Sequence, residues 1–270
     1  MRGILILREW SDGIYYLGPE GSFSHQAASL LGGNLVPQST ISEIFKKVDE
    51  GESSLGVVPI ENSLEGPVNE TLDNLFQYDR LYVLYSVEIP VDLVLASRSE
   101  IGKVRRVYSH IQAIREAKNT LEKLGIKEFI PVESTSKAAL MALRDVESAA
   151  ICSRFAAKLY GLDVLYDKVQ DGVNITKFVV ISKKFYTHGE RGIFMFTIPD
   201  QPGSLYKVLE KFYTWNVNLT MIYSRPIRST PWHYYFYLEF ENKVDSLSLE
   251  KEIRKVVLEL KNKGTYKKLT

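Results

Sequence analysis

The chain has 270 residues, 45% of them hydrophobic and 25% charged, with 34 Lys and Arg against 33 Asp and Glu for a net charge of +1. That size allows one or two domains with ample core, and the near-zero charge gives no electrostatic basis for binding nucleic acid or an anionic membrane. A single cysteine, Cys152, excludes an internal disulfide framework and a thiolate metal cluster, and its Ala-Ala-Ile-Cys setting reads as a small buried hydrophobe.

The opening MRGILILREW holds an apolar run of roughly five residues, shorter than the roughly 7–15 of a secretory leader. No stretch reaches the roughly 18 unbroken apolar residues of a membrane span. A soluble, cytoplasmic protein is expected. Residues 14–17 predict a short strand, GPEGSF a turn, and 24–31 a helix with Ala27, Ala28 and Leu31 on one face. A second helix is predicted over 41–48, and SLGVVPIENS reads as a strand running into polar residues. GPVNETLDNLF reads as a third helix with Pro67 in its first turn. This alternation predicts an α/β layer structure with a largely parallel sheet.

Similar grammar follows. VDLVLAS and RRVYSH predict strands, and 111–124 a helix opened by Ser109 with Gln112 in a capping box. FIPVES predicts a strand, TSKAALMALRD a helix, SAAICSRFAAKLYG a helix ending at Gly161, and 175–181 a buried strand. The segment KKFYTHGERG reads as a polar, mobile linker, with a domain boundary near 186–190. Beyond it come a strand at 193–198, a helix at 205–215, strands at 219–224 and 232–240, a helix at 247–260 and a tail at 265–269. That βαββαβ order is the ferredoxin-like plan.

Ligands of open α/β sheets bind beyond the carboxyl ends of the strands. Four polar clusters fall at such places: GPEGSFS with Ser22, PIENSLEGPVNET with Glu61, Asn62, Ser63 and Thr71, the run Ser109-His110-Ile111-Gln112, and DGVNITKFVV. Ser22, Ser109 and Ser134 equally suit helix caps, and Glu61 and Asn62 a solvated turn. In the last cluster, a regular strand puts Asn174, Thr176 and Phe178 on one side and Lys177 on the other, so an amide, a hydroxyl and a ring face one surface. His25, His188 and His233 lack metal-ligand spacing, so no metal site is expected from them, and GPEGSF fits neither a dinucleotide fingerprint nor a P-loop.

Read together, YYLGPEGSFSHQAA, GVVPIENSLEGPVNETLDNL, VYSHIQA, ESTSKAA, AAKLYGLDVL and DGVNITKFVVIS, with DQPGSLYKVLEKF and NLTMIYSRP behind them, resemble prephenate dehydratase with a C-terminal ACT regulatory domain. The resemblance covers almost the whole chain. It implies a two-subdomain α/β catalytic region like the type II periplasmic binding proteins over 1–186, with subdomains at about 1–87 plus 175–186 and about 88–174. A ferredoxin-like ACT domain would follow at 191–270.

By that resemblance the reaction is loss of carbon dioxide and water from prephenate to give phenylpyruvate. Aromatisation drives it, so the resemblance implies no cofactor. Thr176 would assist the leaving hydroxyl, beside Lys177 and Phe178, and Phe178 would pack against the substrate ring. Ser22, Glu61, Asn62, Ser63, Thr71, Ser109, His110, Gln112 and Asn174 would hold substrate. Phenylalanine would act as effector at Gly203, Ser204, Leu205, Tyr206, Tyr223, Ser224, Arg225 and Pro226, and paired ACT domains imply a homodimer or homotetramer. The aromatic strand WHYYFYLEF, with two faces rich in Trp and Tyr, agrees with such pairing.

The chain departs from the family pattern in three places. Lys177 stands for the arginine of the hinge motif, keeping the charge without the planar fork. Ile111 stands for a proline. Tyr223, Ser204 and Tyr206 alter the effector motifs. The alternatives are an arogenate dehydratase, whose substrate carries an amine on its side chain, a ligand-binding module without chemistry, and an amino-acid sensor built on the ACT domain.

Overall fold

The computed structural model describes residues 12–227 and 230–269, so the reading of the opening apolar run lies outside the described residues. The chain starts with β1 (Gly13–Leu17), α1 (Phe23–Ser29), β2 (Leu35–Gln38), α2 (Ile41–Glu50) and β3 (Ser54–Asn62). α2 forms because Ile41, Ile44, Phe45 and Val48 recur at helical spacing, all buried, and because Thr40 caps its start by accepting the Glu43 N–H at 3.1 Å. A two-residue β4 (Gly66–Pro67), α3 (Asn69–Gln77) and β5 (Tyr82–Pro90) follow. Pro67 is therefore not in the first turn of the helix. It pairs with Glu61 as a strand residue, and Val68 opens α3.

β6 (Leu93–Ser97), β7 (Arg106–Ser109), α4 (Ile111–Glu116), α5 (Lys118–Lys123), β8 (Glu128–Pro131), α6 (Thr135–Ala142), β9 (Ser148–Ser153), α7 (Arg154–Tyr160) and β10 (Asp163–Tyr166) build the second layer set. Two helix expectations change here. The helix over 111–124 breaks at Ala117, and its cap is His110, not Ser109, whose hydroxyl donates to the Ile151 carbonyl at 2.8 Å. SAAICSRFAAKLYG is half strand: Ser148–Ser153 is buried throughout between β6 and β7, and only Arg154–Tyr160 is helical, ending at left-handed Gly161 as expected. Small residues with helical propensity serve here as a strand, because α6 and α7 close tightly over it through Ala138, Ala139, Ala142, Ala156 and Ala157.

The chain returns through β11 (Ile175–Ser182) and continues into β12 (Arg191–Thr197), α8 (Ser204–Thr214), β13 (Leu219–Pro226), β14 (Tyr234–Glu241), α9 (Ser246–Arg254) and β15 (Glu259–Lys268). The helix expected to reach residue 260 stops at Arg254, and Leu260 belongs to β15. Two mixed sheets result. One has ten strands, ordered β13-β14-β12-β15-β5-β11-β3-β1-β2 with β4 beside β3, and the other five, ordered β10-β6-β9-β7-β8.

The larger sheet is continuous across the expected boundary, since β15 pairs parallel with β5 through Lys267 with Tyr85 and Lys268 with Ser86. The segment read as a mobile linker is tied down. The Gly189 N–H donates to Thr265 Oγ1 at 2.7 Å, its carbonyl accepts from Asn242 at 2.8 Å, and a side chain at Gly189 would collide with the Tyr266 backbone. One core cluster joins Ile44, Phe45, Leu72 and Leu75 to Ile193, Met195, Tyr235, Tyr237 and Tyr266. The two faces of β14 are therefore covered by α3 on one side and by the α8–α9 layer on the other. Among the described residues, no helix is long and apolar enough to cross a membrane.

Candidate active site at the crossing between the sheets

The chain passes between the two sheets twice, at 90–93 and at 169–175, and these passages lie side by side. The Val91 N–H donates to the Asn174 carbonyl at 2.8 Å, and the Val169 N–H to the Leu93 carbonyl at 2.9 Å. Beside them opens a cleft of about 300 Å³ lined by residues of both halves, among them Asn62, Glu65, His110, Gln112, Glu116, Asn174 and Thr176.

Three side chains of the cleft lock to one another. The Asn62 amide donates to Asn174 Oδ1 at 2.6 Å and to Thr176 Oγ1 at 3.0 Å, while its own Oδ1 accepts the N–H groups of Leu64 and Glu65 at 3.0 and 3.1 Å. Asn62 is thus fixed by the turn after β3 and in turn fixes β11. A hydroxyl has one proton and two acceptor sites. Because Thr176 accepts from Asn62, its proton remains for a partner in the cleft.

Gln112 bridges the halves by donating to Glu65 at 2.7 Å and Glu116 at 3.3 Å, and Asn174 donates to Glu116 at 3.5 Å. Burial raises the Glu116 carboxyl above the ordinary 4.5, more than hydrogen bonds from Gln112 and Asn174 lower it, and the charge of Glu65 adds to the rise.

Of the residues expected to hold substrate, Asn62, His110, Gln112 and Asn174 line the cleft together with Thr176. The others serve the scaffold. Ser22 caps α1, accepting from the His25 N–H at 3.1 Å and donating to the Leu17 carbonyl at 3.0 Å. Thr71 is fully buried and donates to the Pro59 carbonyl at 2.5 Å, and Ser63 Oγ accepts the Ile175 N–H at 2.9 Å. Glu61 sits opposite Lys177 in the sheet, on the face away from the cleft.

Phe178 shares the cleft-side face of β11 but lies deeper, in a core with Ile14, Tyr16 and Leu84 under Phe23. It is a core residue and does not line the cleft. Lys177 turns away, as strand alternation required, and donates to Glu239 Oε2 of β14 at 2.6 Å. Glu116, Glu65, Glu133, Phe23 and Thr135 also line the cleft without having been expected there, although Glu133-Ser134-Thr135 at a strand-to-helix junction carries the same signal as the other clusters. Among the described residues, no group of three His, Cys, Asp or Glu is placed to hold a metal ion. Burial pushes the Cys152 thiol up to about 12, consistent with an inert core residue.

A second, larger cavity of about 860 Å³ opens in the C-terminal region. Gly203, Ser204, Leu205, Tyr206 and Ser224 line it with Phe236 and Trp232. Tyr223, Arg225 and Pro226 do not. Along β13 the odd residues face the N-terminal region: Tyr223 packs on the shared core and Arg225 grips Asp73 of α3 with two bonds of 3.0 and 2.7 Å. Pro226 borders a separate hollow beside Asp73 and Tyr235.

Residues 14–185 match the family model for prephenate dehydratase. The chain is 39% identical over 264 residues to a bifunctional chorismate mutase/prephenate dehydratase of Aquifex aeolicus, covering 95% of this chain and 72% of that one. It is 33% identical over 248 residues to a prephenate dehydratase of Methanocaldococcus jannaschii, covering 87% and 90%. Among solved structures, a prephenate dehydratase of Arthrobacter aurescens in complex with L-Phe superposes with a TM-score of 0.83 at 26% identity, over 94% and 90% of the two chains. The quorum-quenching acylase GqqA superposes with a TM-score of 0.84 at 25% identity, over 94% and 97%.

Proposed function

The chain belongs to the prephenate dehydratase family, and from that premise we propose that Thr176 assists departure of the ring hydroxyl of prephenate in the cleft between the two sheets. The family consists of carbon–oxygen lyases, and the overall change is loss of carbon dioxide and water to give phenylpyruvate on the route to phenylalanine. The carbon–carbon bond to the ring carboxylate breaks, its electron pair enters the ring as the ring becomes aromatic, and the hydroxyl leaves with a proton as water.

The observation that carries the assignment is the lock of Asn62 on Thr176 at 3.0 Å, which directs the threonine proton into the cleft. A free threonine is a poor acid. Its role is to hold the departing oxygen in line and to pass on a proton drawn from water, while Asn62, Asn174, His110 and Gln112 orient the substrate. Ser134 and Thr135 open α6 at the cleft wall, where the partial positive charge of a helix start suits a substrate carboxylate.

One feature of the lining favours a second substrate. Glu65, Glu116 and Glu133 border the cleft, with no lysine or arginine among its lining residues, so the ammonium of arogenate would meet more favourable charge than the keto acid of prephenate. One assay decides both points: purified wild-type protein and Thr176→Ala with prephenate and with arogenate in competition, following the aromatic products. Thr176→Ala is expected to lose on the order of 10²–10⁴ in kcat with KM little changed. Near-normal turnover by this variant would remove Thr176 from the chemistry, and the ratio of products ranks the two substrates.

The division of the chain belongs to the same proposal. The catalytic region spans 1–186, with subdomains at about 1–87 plus 175–186 and about 88–174, supported by the partition of β1–β5 and β11 from β6–β10 between sheets. An ACT domain spans 191–270, supported by its βαββαβ order with neighbours β13-β14-β12-β15. Phenylalanine is its effector, binding in the cavity at Gly203–Tyr206 and Ser224, by analogy with the phenylalanine complex of the Arthrobacter protein. A cytoplasmic homodimer or homotetramer is the assembly that fits.

A further inference from the structure

Lys177 follows Thr176 directly and points to the opposite face of β11. There its ammonium donates to Glu239 Oε2 at 2.6 Å, and both side chains are nearly closed off from water, 16% and 6% exposed. Both oxygens of that carboxylate are engaged. Oε2 also accepts from Tyr266 OH at 2.6 Å and from Tyr237 OH at 3.4 Å, and Oε1 accepts from Thr220 Oγ1 at 2.8 Å.

Burial pushes the Glu239 carboxyl up, but the charge of Lys177 with the hydrogen bonds from Lys177, Tyr266 and Thr220 outweighs it and holds the group below the ordinary range. A buried carboxylate so furnished is built to stay ionised. Lys177 has other acids beside it, Glu61 opposite on β3 and Glu88 opposite on β5, yet Glu88 is held by Lys268 at 2.6 Å.

The position of this pair on the strand matters. Pairing of β11 with β3 shifts register between Lys177, opposite Glu61, and Phe178, opposite Pro59, so β3 bulges at Ile60 beside this stretch, while the pairing of β11 with β5 stays regular from Ile175 to Val180. Bulges re-aim the side chains next to them, and this one interrupts the ladder between β3 and β11 beside Thr176. The ion pair adds a constraint on this end of β11 from the back of the sheet.

Resting on the reading of Thr176 above, we propose that Glu239 is a positioning residue for the dehydration. Acting through Lys177, it fixes the first residues of β11, beside the bulge of β3, so that the Thr176 hydroxyl meets the departing oxygen. The C-terminal region thereby completes the active site without touching substrate. β14 also joins this pair to the large cavity, because Tyr234 and Phe236 line the cavity while Tyr235, Tyr237 and Glu239 face the other way.

The test uses full-length Glu239→Gln, Lys177→Met, their double variant and Lys177→Arg, each with kcat, KM and a thermal midpoint. Glu239→Gln and Lys177→Met are each expected to lower kcat about tenfold while KM stays within about twofold. The double variant is expected to be no slower than either single one, and Lys177→Arg to hold kcat within about twofold. Wild-type kcat in folded Glu239→Gln and Lys177→Met, or losses that multiply in the double variant, would overturn the proposal. Where Glu239→Gln fails to fold, the kcat ratio of Lys177→Met to Lys177→Arg decides: near one overturns, about one-tenth supports. Thr176→Ala run beside them separates the premise from the inference. Near-normal turnover there removes the premise, whereas an inactive Thr176→Ala beside a fully active Glu239→Gln removes only the role of Glu239.

Discussion

Glu116 shares the cleft with Glu65, His110 and Glu133, and it is held by Gln112 and Asn174. Its carboxyl is raised by burial, so the folded protein favours the neutral form more than the unfolded chain does. Stability attached to this group is present at low pH and is lost as pH rises from the ordinary 4.5 through the raised value. A substrate bearing carboxylates meets added repulsion over the same window. Glu116→Gln keeps the amide contacts and cannot ionise. It is expected to flatten the rise of KM as pH climbs above the ordinary 4.5 and to increase thermal stability at neutral pH more than at pH 4.5. Equal pH profiles in both proteins would show that Glu116 does not titrate in the cleft. Other residue-scale facts were legible in the sequence to different degrees. Alternation along 174–178 separates Lys177 from Asn174, Thr176 and Phe178 without any structure. It does not reveal that Ser63, Thr71 and Ser109 spend their hydroxyls on backbone groups, since a polar side chain at a strand end serves a carbonyl as readily as a ligand. The partner of Lys177 lies 62 residues away, beyond any local pattern.

At the scale of elements, α3 is the helix the C-terminal region grips. Arg225 of β13 and Tyr235 of β14 both bond Asp73, the tyrosine at 2.7 Å, and Lys261 and Lys263 of β15 donate to the carbonyls of Phe76 and Tyr78 at 2.8 and 2.7 Å. Cations at a helix C-terminus satisfy its last carbonyls and suit its dipole. Arg225 was expected in an effector motif, but its guanidinium is committed to this contact and is absent from the lining of the large cavity. Arg225→Ala is therefore expected to cost about 2–4 kcal/mol of stability, near the lower part of the range for breaking a buried pair because both side chains keep some water contact. Denaturant unfolding measures that cost. A loss of phenylalanine binding with unchanged stability would return Arg225 to an effector role. Helices such as α2 and strands such as β11 follow from periodicity. β9 does not, because Ser-Ala-Ala-Ile-Cys carries no period, and only its burial between neighbours makes it a strand.

For the molecule as a whole, the break in composition after Ser182 marks a change of fold pattern but not a break in packing. β15 continues the sheet of β5, and Ile193, Met195, Tyr235 and Tyr237 complete a core begun by Ile41, Ile44, Leu72 and Leu75. A sequence read along its length cannot show that its last strand will pair with one some 180 residues earlier, since such pairing is set by tertiary packing. Two regions sharing a sheet and a core are joined by far more than the segment 183–190, which is itself pinned to β15 at Gly189. The expected consequence is a single cooperative unfolding transition, with equal calorimetric and van't Hoff enthalpies and coincident loss of secondary structure and dehydratase activity. Ile193→Ala removes a fully buried side chain from the C-terminal side of that core and is expected to cost about 2–5 kcal/mol. If the regions unfold together, this substitution lowers the one transition and the loss of activity by the same amount, although Ile193 lies outside the cleft. A separate early transition that leaves dehydratase activity intact would show instead that the C-terminal region melts alone, and that the shared sheet does not couple it to the cleft.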